Sequence, residues 1–347
     1  MQGRCLLIGR NMTYQVYTDG KQAANKKEGE KTMERLRNKV VEVLEKKLGD
    51  GFKIIPKDKR KNNELILHGI CIYKESDSVS PVIYLEDFIQ YHDMWELNAQ
   101  GIADILLETY HQEYCQDKTS RNVANYLGDF GIIKERVRIR LVNYAANLKE
   151  MGNIPHRKFL DLAITYYLDM ESVIEDPYAF VIITNEWMER WGIAEDDLYR
   201  LGMGKLLAED GCCITDMFSI LRQIAKEEQD AITEGFIAEM EEDHDGSEVY
   251  VASNKKRLFG ANCLMNLSIL QELAEKMGCS LIIFPSSVHE LVLIPQKNGS
   301  ENCMVPTDVQ AINIAQVPRD EWLSNSIYRY DSEKREVSIY KEGTPLL

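Results

Sequence analysis

Leu281-Ile282-Ile283-Phe284-Pro285-Ser286-Ser287-Val288-His289-Glu290-Leu291-Val292-Leu293-Ile294-Pro295 sets two apolar runs on either side of a short polar turn. Runs this short, rich in branched side chains and bounded by turn residues, read as a strand, a turn and a returning strand, both largely buried. The only ionisable groups in the stretch, His289 and Glu290, stand together at the entrance of the second run. A rigid hairpin lip can hold chemistry in place. An ordinary turn has the same composition.

Just upstream, Gly260-Ala261 opens a helix predicted to reach Met277, so helix precedes hairpin. The same order is predicted twice more, over 33–73 and 132–184. In the first, Met33, Leu36, Val40, Val41, Val43, Leu44 and Leu48 form an apolar stripe at helical spacing, stopped by Gly49 and Gly51. Phe52 to Ile55 and Leu65 to Tyr73 follow as a hairpin across a basic turn. In the second, a helix over about 132–151 turns Val137, Ile139, Leu141, Val142 and Ala145 to the core and Arg136, Arg138, Arg140 and Lys149 to solvent. Its hairpin pairs residues 159–168 with 179–184. Each unit buries one helix face on a strand pair, which predicts an α+β fold: repeated helix–hairpin units forming mixed or antiparallel sheets, with helices packed on one side. Sequence identity between the units is negligible, so this is one solution used three times rather than a clear duplication.

The remaining elements are a short strand within Ser80–Glu86, a helix from about Leu97 to Tyr114, a helix over Asp196–Leu207 and an amphipathic helix on Ile214, Met217, Phe218, Leu221 and Ile224. A strand near Glu248–Ala252, a helix near Asp308–Ile314 and a terminal hairpin complete the reading. Residues 1–30 lack a stable period and form an N-terminal extension whose composition permits disorder. Residues 31–125 make an N-terminal α+β region and 126–347 a C-terminal one, with one continuous domain as the alternative.

The 347 residues suffice for real cores, and 44% hydrophobic with 28% charged residues excludes wholesale disorder. No apolar run approaches the roughly 20 residues of a membrane span, and the N-terminal patch Cys5–Gly9 is shorter than a secretory core. A cytoplasmic location follows by default. The eight cysteines show no CxxC pair and no metal-type spacing, so all are expected to be reduced, the adjacent Cys212 and Cys213 included. A net charge of −15 disfavours general affinity for nucleic acid or an anionic membrane. That charge is uneven. Residues 21–61 are basic, ending in Lys57-Asp58-Lys59-Arg60-Lys61, whereas 227–245 carry nine acids and no lysine or arginine. Charge runs mostly solubilise; the sharper reading makes them contact surfaces for a protein partner.

Known catalytic patterns fail one by one. His289-Glu290 would need histidine at Leu293 to make a zincin helix, and Ser286-Ser287 lack the G-x-S-x-G elbow. Gly202-Met203-Gly204-Lys205 lacks the spacing of a phosphate loop. A second junction, Asn153-Ile154-Pro155-His156-Arg157-Lys158-Phe159-Leu160-Asp161, also sets a histidine at a strand entrance and an aspartate among apolar neighbours, where it needs a partner. If the two junctions meet, His156, Asp161, Ser287, His289 and Glu290 form one candidate catalytic cluster. Four of them, His156, Asp161, His289 and Glu290, would be the ligands of a metal-binding variant. The expectation carries no cofactor and no metal.

The chain resembles an uncharacterised bacterial family, domain of unknown function 5688, found largely in Firmicutes. The resemblance rests on Ser80-Pro81 with Ile83–Glu86, Asn143 and Asn147, Ile154-Pro155-His156 with Phe159–Ala163, Gly260-Ala261, and Pro285–Glu290. It runs from about Met33 to about Tyr330 and implies relatives without an established activity. Two functions are therefore expected in order: a non-enzymatic protein that binds another macromolecule, and a hydrolase-like enzyme. In the second, His289 is general base, Ser287 nucleophile, and Glu290 or Asp161 the orienting acid.

Overall fold

The computed structural model describes residues 19–74, 82–86, 98–111, 127–174, 178–228, 248–296 and 306–340. The chain forms two compact units, one within Arg10–Asn125 and the other within Tyr126–Leu347.

In the N-terminal unit, helix α1 (Asp19–Leu48) leads into strands β1 (Phe52–Arg60), β2 (Ile66–Lys74) and β3 (Val82–Tyr84), followed by helix α2 (Ala99–Thr109). The three strands are antiparallel in the order β1-β2-β3, with Ile54 opposite Ile72 and Ile70 opposite Ile83. The expected stripe of α1 makes this core: Val40 and Leu44 are fully buried with Ile70, Ile72, Leu85, Ile102 and Leu106. Helix α1 starts at Asp19, well before Thr32. The segments 1–18, 75–81 and 112–126 lie outside the described residues, and the Ser80-Pro81 and Tyr114 ends of two expected elements lie with them.

The C-terminal unit holds two sheets. The first comprises β4 (Val137–Asn143), β5 (His156–Phe159), β6 (Leu162–Asp169) and β7 (Phe180–Ile182). Strand β6 is central, with β4 along one edge and β5 and β7 sharing the other. Helices α3 (Asn185–Trp191) and α4 (Glu195–Ala208) follow. The second sheet is antiparallel in the order β13-β12-β10-β11-β9-β8, built from β8 (Cys213–Asp216), β9 (Tyr250–Ser253), β10 (Leu281–Phe284), β11 (Leu291–Pro295), β12 (Tyr328–Asp331) and β13 (Glu336–Ile339). Helices α5 (Met217–Glu228), α6 (Leu267–Met277) and α7 (Pro306–Gln316) interleave these strands. The α+β class and the antiparallel sheets stand as expected, and the decisive hairpin pairs Ile283 with Leu293.

One predicted helix is a strand. Residues 137–143 form β4, because Val-Arg-Ile-Arg-Leu alternates with period two and pairs along its whole length with β6. Val137, Ile139 and Leu141 are fully buried on one face, and Arg138 and Arg140 share the other. The helix covering the buried face comes later in the chain. Gly202 of α4 lies so close that a Cβ there would stand 2.5 Å from Ile139 Cγ1. The second helix–hairpin unit therefore begins with a strand, and its tight hairpin is β5–β6, turned by Leu160 and Asp161.

Candidate functional site

The loop between β10 and β11 is held by backbone rather than by side-chain chemistry. Val288 N–H donates to Glu321 O (2.8 Å), Leu323 N–H to Ser286 O (3.1 Å) and Ser324 N–H to Pro285 O (2.8 Å), so 285–288 lies beside 321–324. Ser286 and Ser287 are buried. Ser287 Oγ accepts the His289 backbone N–H at 3.1 Å, a local turn that serine favours. His289 stacks on Phe259, with ring centroids 5.7 Å apart and planes 12° from parallel. Phe259 N–H donates to His289 Nδ1 at 3.2 Å. That bond puts the proton of a neutral imidazole on Nε2, the nitrogen 3.7 Å from Glu321 Oε1. Glu290 follows, half-buried at the entrance of β11.

Asp161, from the turn between β5 and β6, reaches the segment that lies beside this loop. Its carboxylate accepts from Ser324 Oγ (2.6 Å), Ser326 Oγ (3.0 Å) and the Tyr328 hydroxyl. Asn143 Nδ2 adds a bond to Leu323 O at 3.0 Å. Burial first, then the Asp161 charge and its hydrogen bond, push Tyr328 well above an ordinary tyrosine. The segment 321–328 thus touches both predicted junctions: the His289 side through Glu321 and the Asp161 side through Ser324, Ser326 and Tyr328. His156 stands apart from these bonds, with Nδ1 on Ile154 O (3.1 Å) and its ring against Tyr144. Among the described residues no three His, Cys, Asp or Glu side chains are arranged to hold a metal.

What joins the two halves is Phe259, a non-glycine residue at φ 55°. Its left-handed backbone is kept by the loop before it, where Asn254 Nδ2 donates to Leu258 O (2.8 Å) and Asn254 Oδ1 accepts from Leu258 N–H (3.2 Å). Gly260 follows with no room for a side chain: a Cβ would lie 2.1 Å from Ser253 Oγ and 2.5 Å from His289 O. The Phe259 ring meets Tyr167 and Phe180 edge-on and receives the Arg140 guanidinium, whose Cζ is 5.5 Å from the ring centroid. A non-glycine residue in this region costs of order 1–3 kcal/mol, and such strain gathers at functional positions.

Arg140 is the unusual member. It is half-buried in the middle of β4, and its Nε donates to Thr165 Oγ1 at 3.0 Å. No carboxylate among the described residues comes within ion-pair distance, in contrast to Arg138, two residues away on the same face, which holds Asp210 at 2.9 Å. Arg157 likewise holds Glu195 at 2.7 Å. Burial pushes Arg140 down to about 10, still protonated at neutral pH. Thr165 lies opposite both Arg140 and His156. His156 is therefore on the same face two strands away, roughly 10 Å off at the usual strand spacing.

Residues 33–332 match the model of a family described as of unknown function, DUF5688. The chain belongs to that family. No curated protein and no solved structure matches it. Two features of this DUF5688 chain were missed by sequence reasoning. Arg140 was read as a solvated helix residue, although the period-two alternation of 137–141 was there to place it on a half-buried strand face. Cys212 and Cys263 were expected as thiols and form a disulfide, with Cα atoms 5.8 Å apart; their separation of 51 residues left no sequence signal. Of the charged surfaces, 229–247 lies outside the described residues. The basic end of β1 is exposed from Pro56 to Lys61, with Asp58 paired to Arg37. No helix among the described residues is long and apolar enough to cross a membrane.

Proposed function

We propose that this chain is a non-enzymatic binding protein that takes an acidic group of a protein partner at Arg140. A single observation carries the reading: a half-buried guanidinium that meets a hydroxyl and an aromatic face, and no carboxylate among the described residues. Removing a charge from water is costly unless an opposite charge or several hydrogen bonds compensate. Arginine's planar fork, with only Nε engaged, suits a carboxylate presented from outside. Phe259 holds the guanidinium plane, and the strained Phe259-Gly260 turn holds Phe259. The hydrolase reading has less support, because Ser287 Oγ accepts from the His289 backbone N–H and His289 Nδ1 from that of Phe259.

The test is capture from native cell lysate by tagged full-length protein, with and without crosslinking, beside the Arg140→Gln variant. An acidic protein retained by the wild type and lost by the variant supports the proposal. A wild-type bait that retains nothing, or a partner retained equally by both, overturns it.

A further inference from the structure

We propose that the Cys212–Cys263 disulfide is a reversible thiol-exchange site, opened by a low-molecular-weight thiol that attacks Cys212. The proposal stands on observations separate from Arg140. The two sulfurs are unequally placed: Cys263 is fully buried, whereas Cys212 is half-buried and lines a cavity of about 250 Å³. That asymmetry fixes the direction of attack, since an incoming thiolate needs access to the sulfur with which it bonds. Glu272 and Lys276 also line the cavity, so a small thiol carrying both charges, as a peptide thiol does, finds complementary groups there. Cys213, next in sequence, is an exposed thiol outside the bridge. A fold stabilised by oxidation in an oxidising compartment does not usually leave an exposed free thiol beside its bridge.

The bond also closes onto a place that matters. Cys263 lies in the short helix Gly260–Met265, which directly follows Phe259 and also carries Asn262. Cys212 leads into β8, the edge strand of the second sheet. Opening the bridge releases this turn from β8. In the first step the thiolate RS⁻ bonds to Cys212 Sγ while the Cys212–Cys263 bond breaks, and Cys263 leaves as a thiolate that takes a proton from water. A second RS⁻ then attacks the mixed disulfide, forming RSSR and releasing the Cys212 thiolate. Two thiols are oxidised and one disulfide is reduced, so atoms and electrons balance.

The experiment incubates the folded full-length protein with a graded ratio of reduced to oxidised glutathione, then quenches, alkylates and maps the cysteines by peptide mass spectrometry. Parallel samples carry Cys213→Ser, which removes the neighbouring exposed thiol from the readout. The expected result is a single glutathione adduct on Cys212 that precedes alkylation of Cys263, full reversal in oxidised glutathione, and faster amide exchange across 259–265 in the reduced state. Three results each overturn the proposal: a bridge that resists glutathione until urea unfolds the protein, an adduct on Cys263 in place of Cys212, or reduced cysteines that oxidised glutathione does not rejoin.

Discussion

The side-chain amide of Asn262 donates to the backbone carbonyl of Ile139 across 123 residues, at 2.9 Å and out of contact with solvent. This bond ties the turn that carries Phe259 to the strand that carries Arg140. Strand β4 has a sheet neighbour on one side only among the described residues, so Asn262 caps an edge that would otherwise be open.

Replacing Asn262 with alanine leaves a buried carbonyl without its donor. Such a loss costs about 1–3 kcal/mol, in part recovered because the orphaned Oδ1 of Asn262 is removed as well. Urea denaturation of Asn262→Ala should show a lower midpoint at unchanged slope. A midpoint equal to the wild type would mean that the two elements are held by packing alone.

Arg140→Met separates binding from stability. If Arg140 is a half-buried charge with no carboxylate partner among the described residues, an apolar side chain of similar length should leave stability within about 1 kcal/mol of the wild type or raise it. Partner capture should disappear in the same variant. Severe destabilisation by Arg140→Met would instead assign the residue a structural role.

Asp161 gathers three hydroxyl donors, and Asp161→Ala strands all three, that of the buried Tyr328 among them. A loss of about 2–4 kcal/mol is expected, with Asp161→Asn intermediate because its amide oxygen still accepts. Thermal and urea unfolding of the two variants would rank them, and equal losses would show that the negative charge is what counts.

Alkali should unfold this protein through its tyrosines. Tyr166, Tyr167 and Tyr328 are all raised, in each case chiefly by burial, with Glu195 adding to the first and Asp161 to the last. A raised tyrosine contributes stability that is complete below the unfolded value near 10 and is lost as pH climbs toward the folded value, because the unfolded chain ionises first. Each tyrosine then removes about 1.4 kcal/mol per pH unit above roughly pH 10. Urea midpoints measured from pH 8 to 11 should fall steeply at the upper end, and a flat profile would contradict the burial of these hydroxyls.

Gly260→Ala places a methyl where Ser253 Oγ, His289 O and Asn254 N already stand within 2.7 Å of its Cβ. Two of those three atoms are backbone and have little freedom to yield. The variant should lose at least about 1–3 kcal/mol. A circular-dichroism melt matching the wild type would show that the atoms around Gly260 yield to a methyl without cost.

The local patterns were read with uneven success, for identifiable reasons. Met33 to Leu48 declared a helix because its apolar residues recur at helical spacing over four turns, and 281–295 declared a hairpin because two branched runs flank a turn. Residues 137–143 read as helix against their own period: Val137, Ile139 and Leu141 alternate with Arg138 and Arg140, and positions two apart share a strand face, not a helix stripe. Strand β5 was missed because Leu160, not glycine, turns the hairpin at φ 56°. At the site, His289 and Asp161 stood out as polar groups in apolar company, but nothing local revealed that segment 321–328 binds both.

Amino-acid order alone determined the α+β class, the first core and the position of the decisive hairpin, since period and turn chemistry act over a few residues. Tertiary structure decided that Asp161 meets Ser324, that Cys212 joins Cys263, and that Arg140 lies against Phe259 away from any described carboxylate. Those contacts bring together residues far apart in the chain, and only the packing of whole sheets and turns, with every buried polar group seeking a partner, selects which of them touch.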